Sequence, residues 1–566
     1  MKFDKETIII LTTCMLLMLA WPWFSQKMGW TKAAPAESAA VKQTAAPAPA
    51  VVPQAAKPAV EAVLKAAAPA VERTVFPDRA IENESMKVVV SGEYGAISSI
   101  SFRKYLDNDQ NADIRIAPYD AKRVWAYPGR LFFPGVTVAS TMLGITGSDS
   151  GITAMRQVSC NGSTFLIEQR FELKNSTDIF CKYTVRNPGK TPAKVPAAVF
   201  SGGEIAPWHV MSGDKVRSMN CRVDLMTANG SFEDVDANDD DEDFYLNPVP
   251  QVRWAGGTNK YFALLLKQHG ADYRLWQERA FLAGDKNKPL ITAGASLPEQ
   301  ILAPGEAKTV EFTIYAGVKN ADNLAAFAGG AEKTIRLAWG PLNYLARFLQ
   351  WLLNMFYSLC GSYGISIILL TLLVRTVFYP ITARGNESMK KMQKVQPKFK
   401  ELREKYKDNP QLLNQKMSEL YRQEGVNPFA GCLPILLQIP IFFALYAMLD
   451  NVIALRHVSF LWCKNLAAAD TVCSIPLYFD LPLIGNHIPV NPLVLTMTAL
   501  MVVQQRMTPM AMDPAQKKMM ALMPVFMLIF LYDLPSGLTL YWTVSNIFSI
   551  AQLWMQKRRR QAASSQ

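Results

Sequence analysis

The sequence predicts an α-helical polytopic membrane protein of six spans, five of them in one C-terminal core, plus a β-sandwich domain carried outside the cytoplasm. Three observations predict it. Uncharged apolar runs stand at the N-terminus and recur through the last two-fifths of the chain. Between them lie short strand-like runs punctuated by Gly, Pro, Asn and Asp. Lys and Arg crowd the loops on one side of the apolar runs. At 566 residues the chain exceeds one hydrophobic core, and 50% apolar content with a mean hydropathy of +0.06 fits a part-membrane, part-soluble protein.

Residues 1–25 are the first span. Thr7 to Ser25 is an uncharged run of 19 residues, enough to cross a bilayer core of about 30 Å at about 1.5 Å per residue. Its flank holds Asp4 and Glu6 beside Lys2 and Lys5, and Trp21, Pro22, Trp23 and Phe24 stand where small cleavage-site residues belong. The run reads as an uncleaved anchor. Residues 26–75 are a tether: from Thr31 to Ala70, 17 alanines and 6 prolines fill 23 of 40 positions, a composition unable to bury a core.

Residues 76–330 form the β-sandwich. Lys87–Val90, Thr164–Leu173, Phe180–Arg186, Tyr261–Lys267 and Thr309–Tyr315 are its clearest strands. The eight carboxylates between Glu233 and Asp243 lack the central glycine of an EF-hand loop and read as a solvated turn. Residues 331–357 carry Ile335, Leu337, Leu342, Leu345, Phe348, Leu349, Leu352 and Phe356 at helical spacing, as expected of a helix in the membrane interface.

The core occupies 358–556. Its apolar runs are Tyr357–Val374 with an extension past Arg375 to Ala383, then Phe429–Leu449, Ile488–Gln505, Met519–Tyr532 and Leu534–Gln556. The loop from Ala383 to Pro428 holds 11 Lys and Arg, whereas that from Asp450 to His487 holds only Arg456 and Lys464. The first loop is therefore cytoplasmic. Both termini, including the basic tail 557–566, fall on that side, and the β-domain falls outside.

Within the first loop, residues 384–426 split at Asp408-Asn409-Pro410 into two helical patterns, Met389, Met392, Val395, Phe399, Leu402 and Tyr406, then Leu413, Met417, Leu420 and Tyr421. This is a basic hairpin carrying Lys390, Lys391, Lys394, Lys398, Lys400 and Arg403. No aromatic stacking pattern or nucleic-acid motif accompanies the charge, so the ribosome or anionic lipid is its expected partner rather than nucleic acid.

Arg375 is the most informative residue, because a guanidinium within a span must be paired, hydrated or able to snorkel. The other apolar runs contain no Asp or Glu. Two readings stand: snorkelling to inner-leaflet headgroups, or a water-filled groove open to the cytoplasm. Thr371, one turn earlier, and Gln438, Gln504, Ser545 and Asn546 offer the groove polar walls; any one of them alone is more often a helix-packing hydrogen bonder. Nine methionines between Met497 and Met527 suit a surface that accepts many apolar sequences or fills gaps between helices. The eight cysteines form no CxxC pair and the four histidines stand apart, so no metal site is expected. Cys463 and Cys473 flank a nine-residue loop across which an oxidising compartment would allow pairing.

Arg375 with Tyr379-Pro380, Asn427-Pro428, the run from Gly431 to Pro440, Asp513-Pro514, Pro535-Ser536-Gly537-Leu538 and Ser545-Asn546 together resemble the YidC/Oxa/Alb family of membrane protein insertases. The resemblance covers roughly residues 340–556, and the anchor, β-domain and short basic tail resemble the Gram-negative form of the family. It implies an inner-membrane insertase and chaperone for nascent membrane proteins, acting alone or beside the Sec translocon, with ribosome or targeting factors at its cytoplasmic face. It implies a periplasmic β-sandwich of the mutarotase type, a groove around Arg375, no cofactor and no enzymatic activity. It adds Tyr541 and Trp542 to the client-contacting residues, Trp542 standing where the family pattern has a second tyrosine. A transporter or channel is the alternative, although neither inverted repeats nor paired intramembrane charges are present. A sugar-active enzyme would need a His/Glu pair in the β-domain, and none stands out.

Overall fold

The computed structural model describes residues 76–564 except 108–111, 121, 149, 213–220, 240–243, 247–248, 339, 407–408, 426–432, 482–484 and 509–513. The predicted anchor and tether lie outside the described residues. The chain divides at Ile335/Arg336 into a β unit and a helical unit.

The β unit is built on a 13-stranded antiparallel sheet and a four-stranded sheet over residues 79–116. All five strands expected from sequence are present, four of them lengthened by one to five residues and Tyr261–Lys267 shifted by one to Phe262–Gln268. Their pleat explains their composition: in Asp178–Arg186, Ile179, Cys181, Tyr183 and Val185 are buried and alternate with more exposed neighbours. The large sheet folds over on itself. Phe200 and Phe312 lie on strands 198–205 and 307–318, five steps apart in the sheet order. Flat, that is about 24 Å, yet their rings stack at 4.0 Å. The fold-over makes two layers with an aromatic core, closed on a third side by the small sheet, whose Phe102 ring lies 4.8 Å from Phe262.

The unit ends later than expected. Ala331 is fully buried in the cluster of Trp254, Leu265, Tyr315 and Phe327, and Ile335 packs against it. The start placed at Ala331 for the interfacial helix therefore belongs to the β core, and the helix begins at Leu342, after Pro341.

The helical unit contains α1 (Leu342–Cys360), α2 (Tyr363–Val377), α3 (Tyr379–Lys405), α4 (Pro410–Gln423), α5 (Leu433–Asn451), α6 (Pro492–Met507), α7 (Pro514–Phe530) and α8 (Ser536–Ser564). Helix α1 buries Ala346, Leu349, Leu352 and Leu353 while exposing Tyr344, Phe348 and Trp351, so it is apolar on both faces. Gly361, in the left-handed region at φ 65°, ends it. The expected helical run through Arg375 to Ala383 is interrupted: α2 and α3 meet at 58°, with Phe378 between them and Pro380 in the first turn of α3, where its missing N–H and its ring break the hydrogen-bond ladder. Ile488–Val490, expected in a span, instead pairs with Cys473–Ile475 in a hairpin, and α6 starts at Pro492. Among the described residues no single helix is long and apolar enough to cross a membrane; the bent α2–α3 pair reaches the needed length and composition only when its two helices are taken together.

Candidate functional site

Arg375 stands in the last turn of α2, half-buried on an otherwise uncharged helix. Its Nε donates to Ser545 Oγ of α8 at 2.5 Å, and its Nη2 donates to the same oxygen. Both bonds go to a neutral hydroxyl, so the positive charge is held in place without being neutralised. One turn before Ser545, on the same face of α8, Tyr541 accepts a 2.8 Å bond at its hydroxyl from Gln438 Nε2 of α5. Arg375, Ser545, Tyr541 and Gln438 thus form a polar cluster drawn from three helices.

The other expected groove residues stand apart from that cluster. Asn546 and Trp542 occupy the neighbouring face of α8. Asn546 donates to Met497 O of α6 at 3.3 Å, and Trp542 packs against Val494, Met497 and Leu531 with its ring 4.9 Å from Phe442. Thr371 is fully buried and donates to Ile367 O in its own helix at 2.6 Å, a packing arrangement. Gln504 is half-buried on α6. The partner of Arg375 is a hydroxyl and not a carboxylate; in the sequence Ser545 stands out as a polar residue of an apolar run and as part of the Ser545-Asn546 motif, with nothing to pair it with Arg375.

The basic hairpin forms as its pattern predicts. Val395 and Leu420 are buried between α3 and α4 with Met392, Phe399 and Leu402, and Phe399 lies 4.7 Å from Tyr421. Asn409 caps α4 by accepting from Leu412 N, and Pro410 fills its first position. Lys391, Lys394, Lys398 and Arg403 are exposed, Lys398 pairing with Glu424 at 2.5 Å, and Lys390 donates to Gln556 of α8 at 3.4 Å. Only the backbone of Lys400 is described, within α3.

The β-domain holds a charged network that the sequence did not reveal. Glu204, on the fully buried strand 198–205, accepts from Arg123 Nε at 2.8 Å. Arg123 Nη2 reaches Glu278 at 3.2 Å, and Trp125 Nε1 donates to Glu278 at 2.6 Å. Burial raises the Glu204 carboxyl above its ordinary value while Arg123 opposes the rise. A carboxylate committed to a buried guanidinium is poorly placed to accept a proton from a substrate. Cys463 is buried and Cys473 exposed, and both are free thiols. Among the described residues no group of three or more His, Cys, Asp or Glu is placed to hold a metal ion.

Family models described as "60Kd inner membrane protein" and "YidC periplasmic domain" match residues 355–563 and 79–352. A membrane protein insertase YidC from Geobacter sulfurreducens is 40% identical over 306 residues, 54% of this chain and 53% of that protein. One from Nitratidesulfovibrio vulgaris is 30% identical over 585 aligned positions, covering 98% of this chain and 99% of that protein. A solved YidC insertase structure aligns over 84% of this chain and 94% of its own at 18% identity and a TM-score of 0.36. Alignment over nearly the whole length of a curated insertase, with the two halves matched separately by the family models, fits a chain made of a β-domain and a helical core. The chain belongs to the YidC family of membrane protein insertases, proteins of the inner membrane with a periplasmic domain.

Proposed function

We propose that this chain inserts integral membrane proteins into the inner membrane and helps them fold, through a hydrophilic groove that opens to the cytoplasm around Arg375. The observation that carries this is the bond of Arg375 to the neutral Ser545, with Tyr541 and Gln438 beside it. A guanidinium left unneutralised inside a helical core costs several kcal/mol unless water reaches it. A hydrated cation there offers the polar flank of an entering segment a halfway station, before its apolar part slides into lipid.

In this reading the chain crosses the membrane six times, with both termini and the α3–α4 hairpin in the cytoplasm and the β-domain in the periplasm. The exposed lysines of the hairpin meet ribosome, targeting factors or anionic headgroups, and the Sec translocon is a partner for clients that need both. Residues 1–25 and 26–75 act as anchor and tether, the β unit up to Ile335 as periplasmic domain, the helix Leu342–Cys360 as interfacial helix, and the rest to 556 and 557–566 as insertase core and tail. Trp542, Asn546, Thr371 and Gln504 shape the groove wall by packing.

The test is reconstitution. Purified protein in vesicles, supplied with a nascent single-span client, should raise the fraction of client protected from protease. Unchanged protection with abundant, folded protein would refute the proposal, and solute uptake by the same vesicles would support a transporter instead.

A further inference from the structure

The loop joining α5 to α6 makes a turn that its residues do not favour. Phe460 N donates to Cys463 O at 2.8 Å and Cys463 N to Phe460 O at 2.9 Å, leaving Leu461 and Trp462 at the tip. Leu461 has φ 53°, in the left-handed region where glycine is at home, and it is 70% exposed; Trp462 is 46% exposed. A large apolar side chain held in strained backbone and offered to water is unfavourable on both counts, which points to something outside the loop that rewards it.

The tip is held rigidly. Trp462 Nε1 donates to Asp470 Oδ2 at 3.0 Å, and the same oxygen accepts Leu493 N at the start of α6 at 2.6 Å. The Phe460 ring lies so close over Gly364 of α2 that an added Cβ would fall 2.1 Å from it. Ser536 N and Gly537 N, opening α8, donate to Ala468 O and Leu466 O at 2.7 and 2.9 Å. The turn is therefore fixed to the N-terminal ends of α2, α6 and α8. From the residue after Gly364, α2 presents exposed Ile365, Leu372 and Leu373 on one face, a stripe suited to lipid. The exposed tip adjoins the end of that stripe, and exposed Lys464 follows it.

We propose that the Leu461–Trp462 turn, with Lys464 behind it, is a membrane-interface anchor whose ligand is the anionic headgroup and acyl boundary of the extracytoplasmic leaflet. Leu461 enters the acyl region, the amphipathic indole sits at headgroup level, and the ammonium meets lipid phosphate. Because Phe460 locks the loop onto Gly364, the anchor also sets the depth of Arg375, 11 residues or about 16 Å along α2. The proposal rests on the orientation above, in which α2, α6 and α8 begin at the outer face.

The experiment uses full-length protein with Cys473→Ser, its other accessible cysteines removed, and Leu461→Cys carrying a bimane label, in vesicles of phosphatidylethanolamine and phosphatidylglycerol. Emission should be blue-shifted and quenched by lipids brominated high on the acyl chain, at a depth of about 5–10 Å. Quenching by aqueous iodide instead, or crosslinking of position 461 to a second copy, would overturn the anchor. Leu461→Gly, which relieves the backbone, should raise the thermal midpoint in detergent; a lowered midpoint would mean that Leu461 is a packing residue and would equally overturn it. Thiol labelling of Lys390→Cys tests the orientation separately: if it labels only from inside while position 461 shows no lipid quenching, the anchor alone fails.

Discussion

Ser545→Ala separates a hydrated groove from a dry polar clamp. The substitution removes the oxygen to which both Arg375 nitrogens donate. In a dry site, two bonds to a charged group at about 1.5–3 kcal/mol each would put the loss at about 3 kcal/mol or more, because the guanidinium is left buried and unpaired. In a wet site, water replaces the hydroxyl at a cost of about 0–2 kcal/mol. Arg375 is only half-buried, so the lower range is expected. Thermal unfolding in detergent of the parent, Ser545→Ala, Arg375→Ala and the double variant gives the coupling directly. Insertion into vesicles of clients with acidic or neutral translocated segments is measured alongside. We expect coupling under about 2 kcal/mol, near-normal insertion by Ser545→Ala, impaired insertion of acidic clients by Arg375→Ala and partial function in Arg375→Lys. Coupling of about 3 kcal/mol or more, or an Arg375→Ala protein that is stable and fully active on acidic clients, would refute the groove mechanism.

Three further outcomes are expected. Deleting residues 80–320 should leave insertion of simple single-span clients intact, measured at matched membrane abundance, because the polar cluster is built wholly from α2, α5 and α8. Arg123→Ala leaves the fully buried Glu204 side chain without its cation and should cost about 3–5 kcal/mol near neutral pH. Without Arg123 the Glu204 carboxyl rises further above 4.5, so the folded variant binds more protons than the unfolded chain. Its stability therefore falls as pH climbs from the ordinary carboxylate value toward the raised one, and the deficit shrinks in acid; thermal unfolding that shows a pH-independent deficit would contradict this. Finally, a membrane-impermeant maleimide should modify exposed Cys473 well before Cys463, whose thiol is pushed up to about 11 by burial; mass spectrometry of the labelled peptides reads the order.

Period and punctuation made much of this protein legible from its residues. Alternation in Phe180–Arg186 and the three- and four-residue steps of Val395, Phe399, Leu413 and Leu420 fix strand and helix because each element's geometry is local. The insertase motifs likewise stand in the chain as written, Arg375 through Asn546. What the sequence could not decide depends on which surfaces meet. Arg375 finding Ser545, 170 residues away, rather than a carboxylate, is a matter of how α2 and α8 cross. Thr371 and Arg375 share a helical face by spacing, yet packing buries one hydroxyl against its own helix and leaves the guanidinium half-open. The buried Arg123–Glu204 pair joins residues 81 apart that only the folded-over sheet brings together. Leu461 in a glycine-like turn had no sequence signal, because local preference opposes it and the ends of three helices impose it. Local preference selects the elements from a few neighbouring dihedrals; the pairing of distant side chains is chosen by burial and hydrogen bonding over the whole fold, and no window of sequence contains it.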